Sequence, residues 1–135
     1  MSEIVIYDSS VLIDQIRTNC HLDRMRKMAG LIRNSAVVLA ELWRAASSRV
    51  DRKVIEALEG NHTNLTPTTA NWLESGQILA RIRTDRRYDP KKLRDLHFDV
   101  LIALTARSHG ARVITSNRSD FELIRHYRDF NLEVW

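Results

Sequence analysis

Residues 4–10 read "IVIYDSS". Four strand-forming residues, Ile4, Val5, Ile6 and Tyr7, succeed one another without polar alternation and stop at Asp8 and two serines. A run of this kind reads as a strand buried on both faces, as in the centre of a parallel sheet. Asp and Ser also end strands and cap helices, and Ser9 or Ser10 is the expected N-cap of the next helix. A carboxylate at the end of a central strand stands where open α/β sheets bind their ligands. Asp8 therefore has a structural reading and a functional one.

Strands and helices alternate from there on. The first strand, about 3–7, feeds a helix at about 10–18, and a second helical stretch covers roughly 22–33. "SAVVL" at 35–39 is a short buried strand or a strand-to-helix join. Leu39, Leu42, Trp43, Ala46, Val50, Val54 and Leu58 then fall at helical spacing, with Gly60 at the C′ position. "NLTPTT" gives a brief strand and a turn, a helix covers about 68–84, and "DPKK" is a turn. A helix at about 94–108 stops at Gly110, "RVIT" (112–115) is a strand, "SDFELIRHY" is a short helix and "LEV" is an edge strand. This order indicates an α/β fold with a mostly parallel sheet. No repeat or Gly/Ser linker interrupts it, so residues 1–135 are expected to form one domain.

The composition, 44% hydrophobic and 28% charged, is that of a globular protein rather than a disordered tail. No strictly apolar run exceeds the five residues of "AVVLA", too few for a membrane span, and no signal peptide is evident. Cys20 is the single cysteine, which excludes an internal disulfide and a thiolate metal cluster. A cytoplasmic protein is the simplest expectation. Lys and Arg outnumber the acids 21 to 17, a net charge of +4 that permits nucleic-acid binding without demanding it.

Three further acids join Asp8. Glu41, in "LAELW", lies near the start of the long helical stretch and off its apolar stripe, where a glutamate also suits the helix dipole. Asp99, in "HFDVLIALTA", sits on a helix apolar nearly all round, heading a face of Ile102, Ala103 and Ala106. A lone buried carboxylate there costs several kcal/mol unless amides, an arginine or a metal ion compensate it. Asp120, in "ITSNRSDF", comes after a strand as Asp8 does, and Ser119 with Glu122 reads as a capping box that would explain its place equally well. Two acids thus come after strands and two sit in the expected opening turns of helices, positions that share one edge of a parallel sheet. Two charges about 4 Å apart repel by roughly 4 kcal/mol at an effective dielectric near 20, so four converging carboxylates require protons or a cation. An all-oxygen cluster suits Mg²⁺ or Mn²⁺, which activate water and stabilise phosphoryl transition states.

In order and spacing, "YDSSVLI", "VLAEL", "DVLIALTA" and "TSNRSDF" resemble the motifs of PIN-domain ribonucleases, specifically the VapC-type toxins of bacterial toxin–antitoxin modules. The resemblance runs from residue 4 to residue 121. It implies a five-stranded parallel sheet between helices and a Mg²⁺- or Mn²⁺-dependent endoribonuclease. It implies that Asp8, Glu41, Asp99 and Asp120 form the catalytic quartet. Asp8 and Asp99 would be the main metal ligands, with Asp120 completing the shell and Glu41 holding or polarising the attacking water. Ser9 and Asn117 match small polar positions that support the site through hydrogen bonds. A homodimer and a cognate antitoxin that blocks the cleft are implied as well.

The resemblance says little about "RIRTDRRYDPKKLR", which holds seven basic residues within positions 81–94. Arg81, Arg83, Arg86, Arg87, Lys91 and Lys92 are expected to bind the RNA backbone, against the alternative of a solvated helix end. The five histidines are scattered without metal-ligand spacing, and Trp43 and Trp72 are expected in the core. Two other functions remain in view. A non-catalytic RNA-binding or scaffold protein could keep the fold, and a receiver-like domain also places an acid after its first strand. The latter lacks a phosphoacceptor aspartate after a central strand, in "AVVLAE" and in "RVITSN" alike.

Overall fold

A computed structural model describes residues 2–135. In chain order the elements are β1 (Ile4–Tyr7), α1 (Ser9–Thr18), α2 (Leu22–Arg26), β2 (Leu31–Ile32), β3 (Asn34–Ser35), α3 (Ala36–Ala45) and α4 (Arg49–Asn61). Next come β4 (Asn64–Leu65), α5 (Thr69–Arg86), α6 (Pro90–Ser108), β5 (Arg112–Thr115), α7 (Arg118–Tyr127) and β6 (Asn131–Val134). The fold is α/β, as the alternation indicates. The main sheet runs β2-β1-β5-β6 with every pairing parallel. Val5, Ile6, Val113 and Ile114 are fully buried in its two central strands, which explains their lack of polar alternation.

The sheet has four strands, not the expected five. β2 pairs with β1 only as far as Ile32, where the Arg33 N–H still donates to Val5 O at 3.0 Å. One residue later the Asn34 N–H donates to Thr63 O at 2.9 Å, and β3 pairs with β4 as a separate two-stranded ladder. The Asn34 side-chain amide fixes this change of partner by donating to Leu58 O and Asn64 Oδ1, at 2.7 and 2.8 Å.

Just before β2, Gly30 lies so close to β1 that a Cβ there would stand 2.9 Å from Glu3 O and 3.0 Å from Val5 Cγ2. Gly30→Ala is therefore expected to destabilise the fold by about 1–3 kcal/mol, as overpacking generally does. Urea denaturation reads this directly, and an unshifted midpoint would mean that the segment yields without cost.

Several helix boundaries differ from expectation. The stretch 22–33 is helical only over Leu22–Arg26. The long stripe from Leu39 to Leu58 is split: Ala46 adopts an extended backbone, and the Ser48 hydroxyl caps α4 by accepting from the Asp51 N–H. Apolar spacing runs across the break in phase, so periodicity does not reveal it, and Gly60 falls inside α4. Asp89 and Pro90 open α6 rather than forming a turn, with the Asp89 carboxylate accepting from the Lys92 N–H at 2.9 Å. Asp99 is consequently well inside α6, not in its opening turn, and Glu41 is in the second turn of α3. Asn117 stands at the N-cap position of α7 without a side-chain capping bond, in place of a Ser119 capping box, and Asp8, not a serine, precedes α1.

α6 is the spine of the core. Val100, Leu101, Ile102, Ala103, Leu104 and Ala106 are buried all round it, against α3, α5, α7 and β5. Trp43 and Trp72 are not core residues: they are 36% and 50% exposed, and the Trp43 indole N–H bonds the Glu59 carboxylate at the surface. Among the described residues no helix is long and apolar enough to cross a membrane.

Candidate active site

Asp8 is the N-cap of α1 by position, yet its side chain does not cap the helix. Its Oδ2 instead accepts from the hydroxyls of Ser10 and Thr115, both at 2.8 Å. The parallel register sets this up: Tyr7 faces Ile114, so the residues after them, Asp8 and Thr115, leave the sheet together. Asp8 is 2% exposed, and its Oδ1 is buried with no hydrogen-bond partner. An orphaned buried carboxylate oxygen is a costly feature that a cation would satisfy.

Glu41 from α3 and Asp99 from α6 supply the other oxygens. One ligand atom from each of Asp8, Glu41 and Asp99 lies within 4.8 Å of the others. The Ser9 hydroxyl donates to Glu41 Oε1 at 3.2 Å, holding that carboxylate in place. Burial, and after it the charge of Asp8, pushes the Glu41 carboxyl up to about 7. Burial also pushes Asp99 up to about 8, with Asp8, Glu41 and Asp120 adding to the rise and Lys92 opposing it. Metal-free, the cluster keeps protons that isolated carboxyls lose near pH 4. Three converging carboxylates with one orphaned oxygen, and no sulfur or imidazole among them, fit a hard divalent cation such as Mg²⁺ or Mn²⁺.

Asp120 lies at the border of this cluster. Lys92 Nζ stands 3.2 Å from its Oδ1, and the Asn117 side-chain amide donates to its Oδ2 at 3.1 Å. Asn117 thus acts on Asp120 as Ser9 acts on Glu41.

The basic stretch divides. Arg86, Lys92 and Asp120 line an open groove of about 490 Å³ together with Tyr88, Ser119 and His126. The Arg81 guanidinium lies over the Tyr127 ring, 5.1 Å from its centre. Arg83, Arg87 and Lys91 are exposed. On the other side of the cluster, Glu41 shares a smaller groove of about 280 Å³ with Arg44, Arg94, Asp95 and Phe98.

The hydroxyls of Ser10 and Thr115 and the guanidinium of Arg44 are not singled out by the sequence. Arg44 is the nearest to legible, three residues after Glu41 on one helix face. Thr115 requires knowledge that β1 and β5 are neighbours. No histidine belongs to the acidic cluster among the described residues.

A family model described as "PIN domain" matches residues 5–127. A sequence search among curated proteins finds no match. Similar solved structures include the DNA-bound VapBC of Salmonella typhimurium, 25% identical, covering 100% of this chain and 99% of that one with a TM-score of 0.70. VapBC-1 of nontypeable Haemophilus influenzae is 23% identical over 98% of both chains, TM-score 0.74. VapBC2 of Rickettsia felis, bound to a promoter DNA fragment, is 18% identical over 98% of both, TM-score 0.72.

Proposed function

Since the chain belongs to the PIN domain family, we propose that it is a metal-dependent endoribonuclease and the toxin of a toxin–antitoxin pair. The observation that carries this reading is the three-carboxylate cluster with its orphaned Asp8 oxygen. The resemblance to VapBC structures along the whole chain supports the toxin assignment and a cognate antitoxin as partner. A homodimer completes the proposal.

Asp8 and Asp99 would be the residues that hold Mg²⁺ or Mn²⁺. When bound, such an ion would supply Lewis acidity toward a phosphodiester and favour ionisation of water. Glu41, steadied by Ser9, positions the attacking water and accepts its proton. Asp120, clasped by Lys92 and Asn117, closes the other side of the cluster. The basic stretch at 81–94 would carry the RNA backbone away from the cut.

The test is incubation of the purified protein with total RNA and Mg²⁺ or Mn²⁺, with mapping of new RNA ends. Discrete ends that need the ion and vanish in Asp8→Asn support the reading. RNA retained intact under all conditions would leave a binding protein on this fold. In the Asp8→Asn background, reversing Arg83, Arg86, Arg87 and Lys91 to Glu is expected to weaken RNA binding. The salt slope should also fall, by about 0.7 for each phosphate of a single strand that is no longer neutralised. An unchanged affinity and slope would remove this stretch from the RNA path.

A further inference from the structure

Both oxygens of Asp120 already hold a donor. Its Oδ1 takes the Lys92 ammonium at 3.2 Å, its Oδ2 takes the Asn117 amide at 3.1 Å, and the carboxylates grouped for a cation are Asp8, Glu41 and Asp99. Two-ion phosphodiesterases set their metals about 3.5–4 Å apart, which requires carboxylates free to reach both. Here the fourth carboxylate faces a lysine. Nor is that lysine a loose surface charge. Lys92 stands seven residues, about two turns, before Asp99 on α6, so the two share a helix face. Its backbone is fixed by the Asp89 cap at 2.9 Å, and its ammonium stands 5.9 Å from the centre of the Tyr88 ring. Its side chain is 41% exposed, against 22% for Asp120, so it borders both the cluster and the 490 Å³ groove.

We infer that Lys92 stands in for a second metal ion: the cleft binds one divalent cation, and the Lys92 ammonium supplies the other positive charge that grips the phosphate at the cut. The second half of this statement rests on the nuclease reading. The first half concerns ion stoichiometry alone. A flexible point charge suits the task, because it can turn from Asp120 to a phosphate oxygen as RNA arrives and form a charge-assisted hydrogen bond there. One divalent ion and one ammonium would then set three positive charges against the four carboxylates.

The experiment is a Mn²⁺ titration of the metal-free protein without RNA, monitored by calorimetry and by the manganese spin signal. The parent protein and Lys92→Arg are expected to bind one ion per chain. Lys92→Met frees Asp120 and is expected to bind two, the second lost again in Lys92→Met/Asp120→Asn. Lys92→Gln should give the same count as Lys92→Met while keeping a polar head at this half-exposed position. With RNA at saturation, Lys92→Met is expected to cut about 10–100-fold more slowly, with partial recovery in Lys92→Arg. Two ions in the parent protein, or one in both Lys92→Met and Lys92→Gln, would overturn the inference while leaving the nuclease reading intact. No ion bound by the parent would overturn both.

Discussion

Asp99→Asn is expected to lose RNA cleavage by about 10³-fold or more and yet, in EDTA at pH 8, to melt above the parent protein. The first effect would follow from losing a proposed ligand of the ion. Metal stabilisation of the transition state by about 4 kcal/mol corresponds to about three powers of ten in rate. The second comes from removing a buried like charge. Asp99 is 8% exposed, and burial with Asp8, Glu41 and Asp120 around it raises its carboxyl to about 8. Repulsion of roughly 4 kcal/mol per close pair, offset in part by retained protons and by the cost of burying an amide, leaves a gain of about 2 kcal/mol. For a chain of this size that is roughly 6–10 °C in Tm. Saturating Mn²⁺ reverses the order, because an ion at 100 times its Kd stabilises the parent by about 2.7 kcal/mol and the variant by much less. Equal destabilisation with and without Mn²⁺ would show that Asp99 shares no ion with its neighbours.

Metal-free protein should also lose stability as the pH rises from 4 to 8, the reverse of a protein held together by salt-bridged carboxylates. Glu41 is raised from 4.5 to about 7 and Asp99 from 3.8 to about 8. Both groups lose their protons near pH 4 in the unfolded chain and keep them to the higher values when folded, so the native state binds more protons across that window. Stability is then full below about pH 4 and falls by up to about 1.4 kcal/mol per pH unit for each group, levelling off above about pH 8. The two carboxyls titrate as a coupled pair, so one broad transition is expected rather than two steps. Mn²⁺ must displace the same protons. At pH 6 its binding should release up to two per ion, and at pH 9 almost none, as calorimetry in two buffers of different ionisation enthalpy would measure. Metal binding without proton release at pH 6 would place the ion elsewhere.

What the sequence disclosed about this site, it disclosed through local contradictions. Asp8 interrupts an apolar run, and Asp99 interrupts a helix apolar on every side; each is an expense that calls for a reason. Glu41 and Asp120 were legible only through motif order, since each has an ordinary local explanation. What stayed hidden depends on which distant elements touch. The Thr115 hydroxyl reaches Asp8 because β1 and β5 pair, and Lys92 reaches Asp120 across 28 residues. Neither contact leaves a periodic signal. The break at 46–48 was invisible for a different reason: the apolar stripe stays in phase through it, although Val50, on the stripe, is 68% exposed. The Asp89-Pro90 start of α6 is compatible with a helix opening, but it resembles a turn equally well.

The pairing of β1 with β5 bears on when activity first appears. Val5 lies beside Arg112, and Asp8 is pinned by Thr115, 107 residues further along. Contacts of such long sequence separation form late, after the intervening chain has been brought together. A polypeptide still emerging from the ribosome therefore carries its first aspartate without the strand that orients it. A cell making the proposed toxin is safe from each copy until most of that copy has been synthesised.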